Sequence, residues 1–171
     1  MGVRRVVTGH SPDGKGVFVS DELVAAFPIG DAGSAALMLW ARDDVARFPD
    51  DGQPSSVTAQ FPPPGGCALA IMEMAPDDDA QFHEFVRTSQ APWSDPGDRG
   101  MLRRATLDFD VVLQGTVALE LDDGAEITLQ AGDVLVQNGT RHRWHNRGST
   151  TARVMTFSVG AQHAFQHGLV P

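Results

Sequence analysis

The stretch from Thr116 to Val159 constrains the fold more than any other part of the chain. It consists of short alternating runs, a few residues apart, joined by glycine-containing turns. Thr116 to Leu121 places Val117, Leu119 and Leu121 on one face, Asp122-Asp123-Gly124 turns the chain, and Glu126 to Gln130 alternates again through Ile127 and Leu129. Ala131-Gly132-Asp133 leads into Val134 to Gln137, Asn138-Gly139 into Arg141 to Asn146, and Ala152 to Val159 closes the series. Successive side chains of a strand point to opposite faces, so each run can bury one face and leave the other in solvent. Many short strands with tight turns describe an antiparallel barrel or sandwich.

Upstream the signals are sparser but of the same kind. Arg4 to Thr8 and Gly16 to Ser20 flank the turn Ser11-Pro12-Asp13-Gly14, and Ala36 to Ala41 is a further strand candidate. Residues 48–66, rich in Pro, Gly, Ser and Asp, read as a loop, and Cys67 to Met74 is apolar enough for a buried strand. Residues 75–100 form a polar excursion with Asp77-Asp78-Asp79, His83 and Trp93, in which Asp79 to Arg87 could form a short helix. A loop of that length in a compact domain reads as a lid or pocket wall. Helix is otherwise scarce, with Ala161 to His167 in the tail as the remaining candidate.

At 171 residues the chain fits one domain: amino-terminal strands and arm over 1–65, a barrel core over 66–160 and a tail over 161–171. A net charge of −9 argues against nucleic acid as a partner, since phosphates would be repelled over the whole surface. Cys67 is the single cysteine, so no intrachain disulfide can form. Met1 to Arg5 leads into Thr8-Gly9-His10 without an apolar core of a signal peptide, and no apolar run is long enough to span a bilayer. The expectation is a cytoplasmic protein with no membrane partner.

Gly115, Leu121-Asp122-Asp123-Gly124, Gly132-Asp133-Val134 and Gly139-Thr140-Arg141-His142-Arg143-Trp144-His145-Asn146 together resemble the core of the small cupin-domain proteins. Arg4-Arg5-Val6-Val7-Thr8-Gly9-His10 resembles the amino-terminal arm of one bacterial and fungal branch of that family. The resemblance implies an all-β, cupin-type antiparallel jelly-roll barrel with extra amino-terminal strands and little helix. It also implies a homodimer, with the arm packed on a partner barrel. It says little about chemistry, because the same fold hosts oxygenases, decarboxylases, isomerases, epimerases, lyases and binding proteins.

The family's first motif places two histidines two residues apart, an acidic residue four later and a glycine seven beyond; its second motif supplies a third histidine. Counting from Gly115 puts Asp108 at the acidic position and Leu102 and Arg104 at the histidine positions, while counting from Gly139 puts His142 at the remaining ligand position. Leu102 donates nothing to a metal, and Arg104 stays protonated and would repel a cation. A divalent first-row metal wants three or more ligands, so the expectation is a site without metal or other cofactor.

A guanidinium in that place can bind a carboxylate or stabilise an enolate, and His142 beside Asp108 can act as general acid or base, the carboxylate setting its tautomer. Arg104, Asp108 and His142 therefore read as catalytic residues for isomerisation, dehydration, cyclisation or lyase cleavage of a small carbonyl- or carboxylate-bearing molecule. Leu102, Thr106, Phe109, Trp93 and Trp144 are candidates to line the pocket, with Trp144 read as core ahead of ligand contact. Two other readings stand beside this one. In the first, a metal-dependent dioxygenase or decarboxylase, His142, Asp108 and His83 hold Fe, Mn or Zn. In the second, a non-catalytic binding protein, Arg104 and Asp108 pair only to fill the barrel. His145 should face outward, His163 and His167 share a zinc-like spacing at a terminus, and Asp77-Asp78-Asp79 reads as a solvated charge run.

Overall fold

A computed structural model describes residues 2–29, 33–55, 61–77 and 100–164. The strands are β1 (Gly2–His10), β2 (Gly16–Ala25), β3 (Phe27–Pro28), β4 (Ala35–Arg42), β5 (Cys67–Met74), β6 (Thr106–Gln114), β7 (Thr116–Glu120), β8 (Glu126–Gln130), β9 (Val134–Asn138), β10 (Arg143–His145) and β11 (Ala152–Gly160). They form a six-stranded sheet in the order β3-β4-β5-β11-β6-β9, a three-stranded sheet β10-β7-β8, and the hairpin β1-β2. All pairings are antiparallel. Among the described residues the one helical element is the 3-10 turn Asp122–Gly124 between β7 and β8. Asp123 there has φ 60° and Gly124 φ 72°, a reversal that glycine adopts without steric cost.

The two larger sheets face each other. Val112 and Val154 of the six-stranded sheet share one buried cluster with Val117 and Leu129 of the three-stranded sheet, and Trp144 packs against it. Burying such a side chain stabilises the fold by about 1.5–3 kcal/mol. A second cluster, Leu37, Leu39 and Ile71, lies on the opposite face of the six-stranded sheet and is covered by Val3 and Val24 of the β1-β2 hairpin. The amino-terminal strands are thus docked on the outside of the barrel. β4, grouped with the arm by the sequence reading, pairs with β5 and belongs to the six-stranded sheet.

Register sets the interior. Antiparallel pairing aligns Ala68, Ser158, Asp108 and Gln137 in one inward row across β5, β11, β6 and β9, and Ala70, Thr156, Asp110 and Leu135 in the next. Met72, Val154 and Val112 form the row beyond. One end of the interior is therefore closed by aliphatic side chains, and the other carries buried polar groups. The second end holds the candidate site.

Candidate functional site

β6 supplies the polar row. Thr106, Asp108 and Asp110 are buried at alternate positions, whereas Phe109 between them is 39% exposed. Thr106 Oγ1 donates to Asp108 Oδ2 at 3.0 Å, and Thr156 Oγ1 of β11 donates to Asp110 Oδ1 at 2.6 Å. Burial raises the Asp110 carboxyl to about 6, and the Asp108 charge pushes the same way; the Thr156 hydroxyl and the Arg104 charge work against it. Across the sheet, Gln137 accepts from Thr140 Oγ1 through Oε1. Asp108 Oδ1, Gln137 Nε2 and Arg104 Nε are buried with no hydrogen-bonding partner. Each such atom costs about 1–3 kcal/mol if it stays unpaired.

His142 enters from the segment before β10. Its backbone forms a two-bond bridge with Leu102, Leu102 N–H to His142 O at 2.7 Å and His142 N–H to Leu102 O at 2.9 Å. The ring is 3% exposed and its Nδ1 lies 2.8 Å from Thr140 O. A carbonyl only accepts, so Nδ1 carries the proton and Nε2 keeps its lone pair. Burial pulls the imidazole down to about 4, aided by the Arg104 charge, while the Thr140 carbonyl and Asp108 pull it up. His142 is thus neutral at neutral pH, with a free basic nitrogen. The sequence reading assigned the tautomer to Asp108; the structure gives that role to a backbone carbonyl two residues away, which parity arguments do not see.

Arg104 lies just outside β6, so the expectation of one strand carrying residues 102, 104, 106 and 108 is corrected: β6 begins at Thr106 and Leu102 forms an isolated bridge. The Arg104 guanidinium still reaches the site, stacking 4.4 Å from the Phe61 ring centroid and interacting electrostatically with Asp108, Asp110 and His142. Burial pulls it below its ordinary value and the two carboxylates pull it back. Gly139 fixes this approach. It has φ 62°, and a Cβ there would lie 3.0 Å from Arg104 O and 3.4 Å from Thr106 O.

Other expected residues fall elsewhere. Phe109 has the parity opposite to Asp108, so it leaves the pocket wall and stacks on Phe157 on the outer face, with centroids 6.5 Å apart. Trp144 packs on the aliphatic cluster. His145 faces outward as expected, with Nδ1 2.9 Å from Asp77 Oδ2 and Nε2 2.8 Å from Glu120 Oε2. Asp77 also accepts from Asn146 N–H at 2.8 Å, so it anchors the chain instead of joining a solvated run. His163 Nε2 lies 3.1 Å from Gly139 O. His83, Trp93, Asp78, Asp79 and His167 lie outside the described residues. Asp110, Gln137, Thr156 and Ser158 were missed; alternation carried one step beyond Asp108 would have found Asp110, whereas the others depend on long-range register.

Among the described residues no three His, Cys, Asp or Glu side chains gather as metal donors. Neither of two surface clefts reaches this cluster. One is lined by Arg5, Trp40, Arg42 and Cys67, the other by His10, Phe18, Phe48 and Asp50.

A cupin-domain family model matches residues 104–159. Phomopsin biosynthesis cluster protein C' of Diaporthe leptostromiformis is 34% identical over 94 residues, 55% of this chain and 40% of that relative. The chain thus spans less than half the length of that relative. A cupin-domain-containing oxidoreductase of Hypocrea virens is 26% identical over 165 residues, 90% of this chain and 75% of that protein. Among solved structures, the cupin domain of Schizosaccharomyces pombe Cnp3 superposes with a TM-score of 0.48 and 10% identity, covering 92% of this chain and 87% of that one.

Proposed function

The chain is a small cupin-family protein, and from that premise we propose that it is an enzyme of small-molecule biosynthesis that works by metal-independent acid–base chemistry. One observation carries the reading. Burial holds His142 neutral and the Thr140 carbonyl fixes its proton on Nδ1, which leaves Nε2 as the basic nitrogen in the field of the Arg104 guanidinium. Nε2 takes a proton from carbon next to a carbonyl, and Arg104 faces the negative charge that develops on the oxygen. Asp110, whose carboxyl holds a proton up to a pH of about 6, returns one to another carbon or to a departing oxygen. That sequence balances as an isomerisation or a dehydration once water, admitted as product leaves, takes the proton from His142 and restores one to Asp110. Asp108, bonded to Thr106, orients the substrate.

The donor set supports the absence of a metal. Among the described residues His142 and Asp108 are the two donors at the motif positions, the Leu102 backbone is already bonded to His142, and Arg104 adds a positive charge. The similarity to the Hypocrea virens oxidoreductase favours a second reading in which metal-dependent oxidation uses His142, Asp108 and a further ligand. Elemental analysis separates the two: a transition metal bound one per chain, and lost in His142→Asn, overturns the first. Metabolite profiling of producing cells tests the chemistry. With His142→Asn or Arg104→Met in place a carbonyl-bearing precursor accumulates; unchanged product levels in both variants defeat the assignment.

The partner surface follows from the same fold. Exposed Phe109, Phe157, Val134 and Val136 on the outer face, with Phe18 and Leu23 of the hairpin, support the proposal that a second copy of the chain packs there as a homodimer. The protein is read as cytoplasmic; no helix among the described residues is long and apolar enough to cross a membrane.

A further inference from the structure

Asp108 on β6 and Gln137 on β9 are direct cross-strand neighbours, both turned inward, 3% and 4% exposed. Each has one atom engaged: Asp108 Oδ2 accepts from Thr106 and Gln137 Oε1 accepts from Thr140. The remaining atoms, an acceptor on Asp108 and a donor on Gln137, do not bond to each other, and Arg104 Nε is a third buried atom without a partner. One acceptor beside two donors is a pattern with a definite complement. A group that serves all three must donate to Asp108 and accept from Gln137 and Arg104. A bare carboxylate fails, because it puts an acceptor against Asp108; an aliphatic group serves none.

We propose that this inward face takes a small molecule carrying a hydroxyl one or two carbons from a carboxylate or carbonyl. The hydroxyl donates to Asp108 Oδ1, and the carboxylate or carbonyl oxygens accept from Gln137 Nε2 and Arg104 Nε. The assignment rests on the reading of the barrel interior as the substrate site and adds Gln137, a residue outside the family motif, as a determinant of specificity. All three atoms are sealed from solvent, so the ligand meets them as the covering side chains turn aside, and association is slow.

The test is a chemical-shift titration of the labelled full chain with 3-hydroxybutyrate, butyrate and 2-butanol, read on the Gln137 side-chain amide and the Arg104 Nε–H. 3-Hydroxybutyrate is expected to move both signals and to bind about tenfold tighter than either of the others, since each lacks one partner of the set. Gln137→Met weakens the preference over 2-butanol, because the amide serves the carboxylate, and leaves the preference over butyrate to Asp108; Gln137→Glu, which turns the donor into an acceptor, does the same if the first variant fails to fold. The proposal is overturned if butyrate binds within about twofold of the hydroxy acid, if the variants keep the full preference over 2-butanol, or if no probe moves either signal. Metal content and the loss of product with His142→Asn are measured separately. Equal binding of butyrate with His142→Asn inactive defeats the hydroxyl assignment alone, whereas no binding with His142→Asn active defeats the acid–base reading as well.

Discussion

The Thr156 hydroxyl donates to Asp110 across 2.6 Å, tying β11 to β6 inside the barrel beneath the candidate catalytic groups. The hydrogen bond favours the carboxylate, but burial outweighs it and the carboxyl is raised from 3.8 to about 6. A raised acid stabilises the fold fully below 3.8 and loses that contribution as pH rises through about 6. Above 6 the fold therefore carries a buried charge at a cost on the order of 3 kcal/mol. Asp110→Asn keeps an acceptor for Thr156 and removes the charge. Urea denaturation at pH 8 should show the variant more stable than the parent by about 1–3 kcal/mol, with the difference shrinking below pH 5. A variant that is less stable at pH 8 rules out a buried, reluctant carboxylate.

His142 titrates in the opposite sense. Its value is lowered from 6.5 to about 4, so its contribution to stability is present above 6.5 and lost as pH falls through about 4. Between pH 4 and 6 the two groups oppose each other, and the parent should show a nearly flat stability profile there. Asp110→Asn unmasks His142, so that variant should lose stability steadily from pH 6.5 toward 4. Denaturation midpoints at half-unit pH steps check it, and a flat profile in the variant contradicts the assignment.

Arg104 sets part of that value through its charge. Arg104→Met should move the midpoint of the His142 ring signal upward from about 4 toward 6.5, while Nδ1 remains the protonated nitrogen because Thr140 O still accepts from it. Nitrogen-detected NMR of the ring reads both. An unmoved midpoint would mean that the guanidinium and the imidazole do not share one site.

The barrel was legible in the chain because its strands are short, alternating and punctuated. Cys67–Met74 and Glu126–Gln130 begin and end where alternation and turns place them. The site was legible only where a local motif reached it. His142 and Asp108 follow from spacing to Gly139 and Gly115, and both prove buried on the inward side. Gln137 and Thr156 came into the site through register between strands distant in sequence, which no local pattern encodes. Phe109 shows the reverse failure: its proximity to Asp108 in sequence suggested a pocket wall, while strand parity sends it outward. The Thr140 carbonyl escaped notice because backbone groups carry no signature of residue type.

The hairpin gives the last prediction. Leu37 is fully buried between the six-stranded sheet and the β1-β2 hairpin, with Ile71 opposite it across the β4-β5 ladder and Val3 and Val24 packed against the cluster. None of these residues touches the polar end of the interior, which lies on the other face of the sheet. Leu37→Ala removes the side chain that joins hairpin to barrel and should cost about 2–5 kcal/mol. Because the inward rows are set by ladder hydrogen bonds in the plane of the sheet and project from the opposite face, the low His142 midpoint should persist in the folded variant. If the homodimer forms through the hairpin and the outer face, the same variant should shift light scattering toward monomer at low micromolar concentration. A large loss of stability with the His142 midpoint unchanged would separate the two faces of the sheet energetically; a midpoint that rises together with the loss would show that hairpin docking shapes the site.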